Sequence, residues 1–124
     1  MRLSARIVVL TFVGGALGTL LRWSLSFAID SSFWSVALVN LAGAFAIGFF
    51  NGHRYFHTDA RRAIYSIGFC GGFTTLSGLM AVVISPASGL MVGVEFILGI
   101  GLYLLGRRTG DATSAETASE ADLV

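Results

Sequence analysis

The stretch "GFCGGFTTLSG", residues 68–78, lies inside an otherwise apolar segment of the chain. Its glycine pair, Gly71 and Gly72, is followed by two threonines and a serine, which is poor composition for an uninterrupted helix. One interpretation is a helix that breaks near the glycines and presents carbonyls to a small cation and N–H groups to an anion. The other is a continuous helix, softened by glycine, whose hydroxyls bond back to its own carbonyls.

The composition around this stretch is that of a membrane protein. Of 124 residues, 55% are hydrophobic, 12% are charged and one is proline. Four stretches, at about 5–28, 33–52, 62–84 and 87–106, reach the roughly 20 residues needed to cross a bilayer of about 30 Å. We therefore expect an all-α integral membrane fold with a four-helix transmembrane domain over 1–108. The polar tail, 109–124, is predicted to be disordered.

The distribution of arginine predicts the orientation. All eight basic residues are arginines, and seven of them lie on the side that holds both termini and the loop 52–62: Arg2, Arg6, Arg54, Arg61, Arg62, Arg107 and Arg108. The two opposite loops contain neither Lys nor Arg. By the positive-inside rule, both termini are predicted to face the cytoplasm from the plasma membrane, in one fixed orientation.

Two charged residues, Arg22 and Glu95, fall inside the predicted spans, where a charge is costly. Counted from the outer ends of their spans, Arg22 lies about 9 Å deep and Glu95 about 12 Å deep at 1.5 Å per residue. We expect them to meet as an ion pair. The pair would either fix helix packing or act electrostatically beside an ion pathway.

Polar and small residues mark the packed faces of the helices. Asn40 lies well inside the second span, so its amide must face protein or water and donate to another helix or to a passing anion. Thr74 and Ser77 share one face of the third span, whereas Thr75, Leu76 and Leu79 share another. Small residues spaced for close helix approach are Gly14, Gly15, Gly18, Ala44, Gly48, Gly89, Gly93, Gly99 and Gly101.

The sequence does not favour an enzyme. No nucleophile, base and orienting acid occur together, and no glycine loop for phosphate follows a strand. His53 and His57, four residues apart, raise the alternative of a metal site, but no nearby cysteine completes it and a solvated interfacial loop is favoured. Arg61 and Arg62 are expected to contact anionic lipid head groups, not nucleic acid.

Three blocks of the sequence resemble the CrcB/Fluc family of fluoride channels, in order and spacing: "GGALGTLLRW" at 14–23, "VNLAGAFAIG" at 39–48 and "GFCGGFTTLSG" at 68–78. The resemblance covers nearly all of the predicted transmembrane domain. It implies an antiparallel dimer of four-helix subunits, with the third helix broken in mid-membrane. It also implies passive, fluoride-selective conduction at the subunit interface, which would lower cytoplasmic fluoride, and a central structural sodium ion.

The resemblance also implies roles for individual residues. The backbone carbonyls of Gly71 and Thr74 match those that hold the sodium, Arg22 matches a first-helix arginine, and Tyr103 corresponds to a fourth-helix aromatic residue. The positions expected along the pore are Asn40, Phe73, Thr75 and Ser77. Amide and hydroxyl groups and aromatic ring edges are the donors that can replace the water around fluoride.

Two departures from the family pattern point to a heterodimer. Leu76 and Leu79 stand where the family has phenylalanine, so this chain lacks those ring edges. The biased arginines oppose the dual insertion that an antiparallel homodimer requires. We expect a related, oppositely inserted partner that retains the phenylalanines. The alternatives are a non-conducting stabilising subunit and a small multidrug exporter; the latter needs a membrane carboxylate, for which Glu95 is the candidate.

Overall fold

The computed structural model describes residues 3–29 and 32–123, and these form helices joined by short connections. The first helix is Ala5–Ala28, the second is Ser32–Gly52 and the last is Pro86–Asp122. The third span runs through Asp59–Arg61, wide π-helical turns over Arg62–Phe69, Cys70–Phe73 and, after a break, Leu76–Ala81. Four helical segments are long and apolar enough to cross a membrane. The prediction of an all-α, four-span, multi-pass membrane protein is confirmed.

The first helix packs tightly against the third span through glycine. A Cβ added to Gly14 would collide with the Ile64 carbonyl, and one added to Gly18 would collide with the Phe69 carbonyl. Gly72 in turn lies against the Gly15 carbonyl. These contacts confirm the expected close approach of the first helix, because any side chain would force the backbones apart.

The second helix packs against the last helix in the same way, but through different glycines than expected. Gly48 lies against the Tyr103 carbonyl, and Gly106 lies against the Phe45 carbonyl. By contrast, a Cβ added to Gly93 or Gly101 would meet nothing within 4 Å. The prediction is thus confirmed for Gly48 and wrong, within this subunit, for Gly93 and Gly101, because the tight contact lies further along the last helix.

The last helix continues where the sequence predicted a disordered tail. Its 37 residues correspond to about 55 Å, well beyond the thickness of a bilayer core. The extension packs on the end of the second helix and on the loop that follows it: Gly110 lies against the Phe49 carbonyl, and the Arg54 N–H donates to Ser114 Oγ at 2.7 Å. Small residues at four-residue spacing thus carry the helix past residue 108, up to Asp122; residue 124 lies outside the described residues.

The connection between the second helix and the third span contains a short 3-10 helix, Arg54–His57. Both histidines of this connection, His53 and His57, make local contacts. His53 Nδ1 accepts from the Tyr55 N–H at 3.2 Å, and His57 Nε2 lies 3.0 Å from the Asn51 carbonyl oxygen. The Arg61 guanidinium stacks 3.8 Å above the Tyr55 ring. These contacts order the loop and give both histidines a structural explanation.

Candidate functional site: a helix break beside a groove

The third span is interrupted at Thr74 and Thr75, two residues beyond the glycine pair. Both residues are extended, with φ −83° and ψ 153° at Thr74 and φ −150° and ψ 110° at Thr75. The expected break is present, but its expected position at Gly71 and Gly72 is wrong: both glycines are still helical. Gly72 instead allows close packing, because without a side chain it lets the backbone of the first helix approach at Gly15.

Asn40 holds the broken backbone from the second helix. Its Oδ1 accepts from the Thr75 N–H at 2.7 Å, and its Nδ2 donates to the Thr75 carbonyl at 3.1 Å. A break at membrane depth leaves backbone groups that lipid cannot satisfy, and this amide satisfies two of them. Of the alternatives open for Asn40, bonding to another helix is the one that the structure contains. One N–H of its NH₂ group is left over for a further acceptor.

Two hydroxyl groups satisfy other groups at the break. Thr19 Oγ1, on the first helix, donates to the Gly72 carbonyl at 3.2 Å. Thr75 Oγ1 accepts from the Gly78 N–H at 3.0 Å and so caps the helix Leu76–Ala81. The Gly71 carbonyl has lost its usual helical partner, since the Thr75 N–H that would donate to it donates to Asn40 instead. Among residues 3–29 and 32–123, this carbonyl is therefore an acceptor without a donor.

A groove of about 390 Å³ lies between the break, the second helix and the last helix. It brings together most of the side chains singled out from the sequence. These are Asn40, Thr74, Thr75, Leu76, Leu79, Glu95 and Tyr103. Phe96, which the sequence analysis missed, adds an aromatic ring to the same wall. The groove is therefore largely apolar and carries a few hydrogen-bonding groups.

Two predicted pore residues lie away from this groove. Phe73 is buried, stacked on Phe69 with ring centroids 5.7 Å apart. Ser77 lies on the exposed side of the third span, with its Oγ 3.3 Å from Thr75 Oγ1. Ser77 thus faces outward from the subunit, whereas Phe73 belongs to its core.

The predicted ion pair between Arg22 and Glu95 does not form within the subunit. Both carboxylate oxygens of Glu95 are buried and lack a hydrogen-bond partner among the described residues. The helices that carry the two residues pack on different neighbours: the first helix packs on the third span, and the last helix packs on the second. Residue counting predicts depth along a helix axis but not position around the bundle.

Sequence reasoning also missed Thr19. Its signal was available, since it directly follows Gly18, and a helix close enough to need glycine is close enough for a hydroxyl to reach a carbonyl. Phe96 had no such signal, because apart from Glu95 the residues around it in the last helix, 89–105, are apolar or small on every face.

These features define a class: a small four-helix membrane protein whose third span is broken and held by an asparagine from the second helix. Residues 9–107 match the family described as CrcB-like protein, Camphor Resistance (CrcB). The chain belongs to this CrcB family.

Relatives of known name agree with this assignment. A protein of Gluconobacter oxydans named fluoride-specific ion channel FluC is 36% identical over 92% of this chain and 95% of its own length. A Thermus thermophilus protein of the same name is 34% identical over 84% of this chain and 94% of its own length. Fluoride-specific ion channel FluC 2 of Bacillus subtilis is 36% identical over 77% of this chain. No solved structure matches the chain.

Proposed function

We propose that this chain is one subunit of a fluoride-selective passive channel that releases fluoride from the cytoplasm. The observation that carries the proposal is the broken third span held by Asn40 beside the groove. Fluoride keeps its hydration shell unless donors replace it. The groove is lined by Asn40, Tyr103 and Phe96, whose side chains carry an amide N–H, a hydroxyl and an aromatic ring edge. The family assignment and the names of the relatives support fluoride as the ion.

The exposed side of the break supports a dimer. Gly71, whose carbonyl lacks its helical partner, is exposed, and a Cβ added to it would meet nothing within 4 Å. Ser77 is exposed on the same span. Irregular backbone is tolerated at membrane depth only where protein or water covers it. A second subunit against this face supplies that cover.

The partner is proposed to be a related chain inserted in the opposite direction. Seven arginines on one side of the membrane and none in the opposite loops favour a single orientation, with both termini in the cytoplasm. Leu76 and Leu79 line the groove and offer an anion no ring edge. A partner with phenylalanine at these positions would supply the missing edges to a pore at the interface.

Fluoride efflux tests this function directly. Liposomes containing the chain alone, and liposomes containing it with a second CrcB-family chain from the same cell, are loaded with potassium fluoride, and efflux is started with a potassium ionophore. We expect selective fluoride efflux only from the paired sample, with chloride-loaded and empty liposomes as controls.

Each other outcome has a distinct meaning. Efflux from the chain alone would show that the chain forms a working channel without a second kind of subunit, and would overturn the required heterodimer. Equal efflux from the partner with and without this chain would make this chain a non-conducting stabilising subunit. The leucines in the groove agree with that alternative, because they offer an anion no donor. The absence of fluoride efflux from every sample would overturn the proposed channel.

A sodium ion is proposed at the break, on the dimer axis. The donor set fits: the Gly71 carbonyl has no helical partner, and Thr74 is extended, so its carbonyl lies in unwound backbone. Unwound backbone carbonyls are the groups that hold Na⁺ in membrane transport proteins. Two subunits would supply four such oxygens, and the bound ion would neutralise their partial charge and fix the interface.

Sodium dependence of stability tests this site. We expect the thermal midpoint of the purified protein to rise with the logarithm of the Na⁺ concentration once this exceeds the dissociation constant. The stabilisation should reach about 2.7 kcal/mol at 100 times the dissociation constant. N-methylglucamine at matched ionic strength is the control. Equal midpoints in sodium, potassium and N-methylglucamine would exclude a sodium-selective site.

A further inference from the structure

Glu95 is the one buried side chain for which the described residues provide no partner. The residue is 7% exposed, and neither carboxylate oxygen has a hydrogen bond or contact with solvent. The Asn40 amide faces it without completing a hydrogen bond. Glu95 nevertheless lines the groove beside the helix break. A buried polar side chain of this kind, in the wall of a groove, calls for a ligand or a proton.

The surroundings of Glu95 decide between its two protonation states. The second helix contributes Asn40, Leu41, Ala44 and Ile47 to the groove, the broken span contributes Thr74, Thr75, Leu76 and Leu79, and the last helix contributes Phe96, Gly99, Ile100 and Tyr103. Tyr103 is the only other titratable side chain in this set, and none is cationic. An ionised carboxylate without a cation or a hydrogen bond is far more costly to bury than a neutral acid.

We propose that Glu95 keeps its proton in the groove and donates its O–H to fluoride, a role that rests on the proposed function. A carboxylate can only accept hydrogen bonds and would repel an anion, whereas the neutral acid is a donor. Apolar sites are known to hold carboxylic acids in this neutral, donating form.

The donor is needed at this position. The Asn40 carbonyl oxygen and one of its N–H groups are committed to Thr75. Thr75 Oγ1 is occupied by the Gly78 N–H and lies beside Ser77 Oγ. Leu76 and Leu79 offer no donor. Glu95 therefore supplies from the last helix part of what the third span lacks.

Two substitutions at Glu95 separate a donor from an electrostatic barrier. Efflux is measured from liposomes that also contain the partner chain. Glu95→Gln keeps the shape of the side chain and an N–H donor, so we expect fluoride efflux within about threefold of that of the unmodified pair, since a neutral amide still donates. Glu95→Leu removes the donor, and we expect efflux to fall about tenfold or more, as for loss of a hydrogen bond to a charged group. Glu116→Gln, in the exposed part of the last helix, is the matched control and should leave efflux unchanged.

Infrared spectroscopy gives a readout that does not depend on conduction. We expect the carbonyl band of a neutral carboxylic acid at neutral pH, lost in Glu95→Gln, kept in Glu116→Gln and shifted when fluoride replaces chloride. Absence of the band would overturn the proposal. Fluoride efflux that rises in both Glu95 variants would also overturn it, because it would mean that Glu95 is ionised and repels the anion. A paired sample that conducts fluoride and is insensitive to Glu95→Leu would overturn the donor role alone, whereas an unmodified pair that passes no fluoride would overturn the channel as well.

Discussion

Replacing Asn40 with leucine should abolish fluoride efflux and destabilise the subunit. The substitution removes the acceptor of the Thr75 N–H, at 2.7 Å, and a donor to the Thr75 carbonyl, at 3.1 Å. An unpaired buried N–H costs about 1–3 kcal/mol, and the second bond adds about 1 kcal/mol, so the free energy of unfolding should fall by about 2–4 kcal/mol. The Thr75 carbonyl still accepts a hydrogen bond from the Leu79 N–H, at 3.4 Å, so the substitution does not leave it without a donor.

Unfolding in detergent and fluoride efflux from liposomes measure the two effects separately. Asn51→Leu is the matched control: it removes an amide from the same helix that accepts one hydrogen bond, from Ser66 Oγ at 3.3 Å. It should cost about 1 kcal/mol and preserve efflux. If Asn40→Leu were as stable as Asn51→Leu and still conducted, the asparagine would hold neither the break nor the pore.

Hydropathy predicted the four spans closely because burial in lipid acts on each segment separately. Contacts between segments were harder to predict. Gly71 and Gly72 marked the region of the break, but a glycine that permits a break and a glycine that admits a neighbouring helix look the same in sequence. Gly72 is of the second kind, since it lies against the Gly15 carbonyl. The break falls where Asn40, 35 residues away in the chain, can satisfy it.

The candidate site followed the same division. The sequence predicted that the polar side chain of Asn40 needs a hydrogen-bond partner inside the membrane. It did not predict that this partner is the backbone of Thr75. Helical rise predicted similar depths for Arg22 and Glu95 and hence an ion pair, but the helices that carry them pack on different neighbours and the pair does not form. The polar composition after residue 108 predicted disorder, because nothing in it revealed that Gly110 packs on the end of the second helix and Ser114 on the loop after it.

Substituting Gly18 with alanine should destabilise the protein as strongly as the loss of Asn40, although it adds a single methyl group. That group would collide with the Phe69 carbonyl and crowd the Phe73 N–H, which are backbone atoms that cannot rotate away. Overpacking of this kind costs about 1–3 kcal/mol, and more where backbone must move. The first helix would be pushed away from the third span, which would draw Thr19 Oγ1 from the Gly72 carbonyl and loosen the break itself.

Gly101→Ala is the control that isolates this steric effect. Its added methyl group meets nothing within 4 Å, so only helix propensity acts, and alanine in place of glycine favours a helix by about 1 kcal/mol. The two identical substitutions should therefore change the thermal midpoint in opposite directions, with Gly18→Ala also lowering the amount of folded protein recovered from membranes. Equal midpoints would mean that the first helix stands further from the third span than described, and that Thr19 does not reach the break.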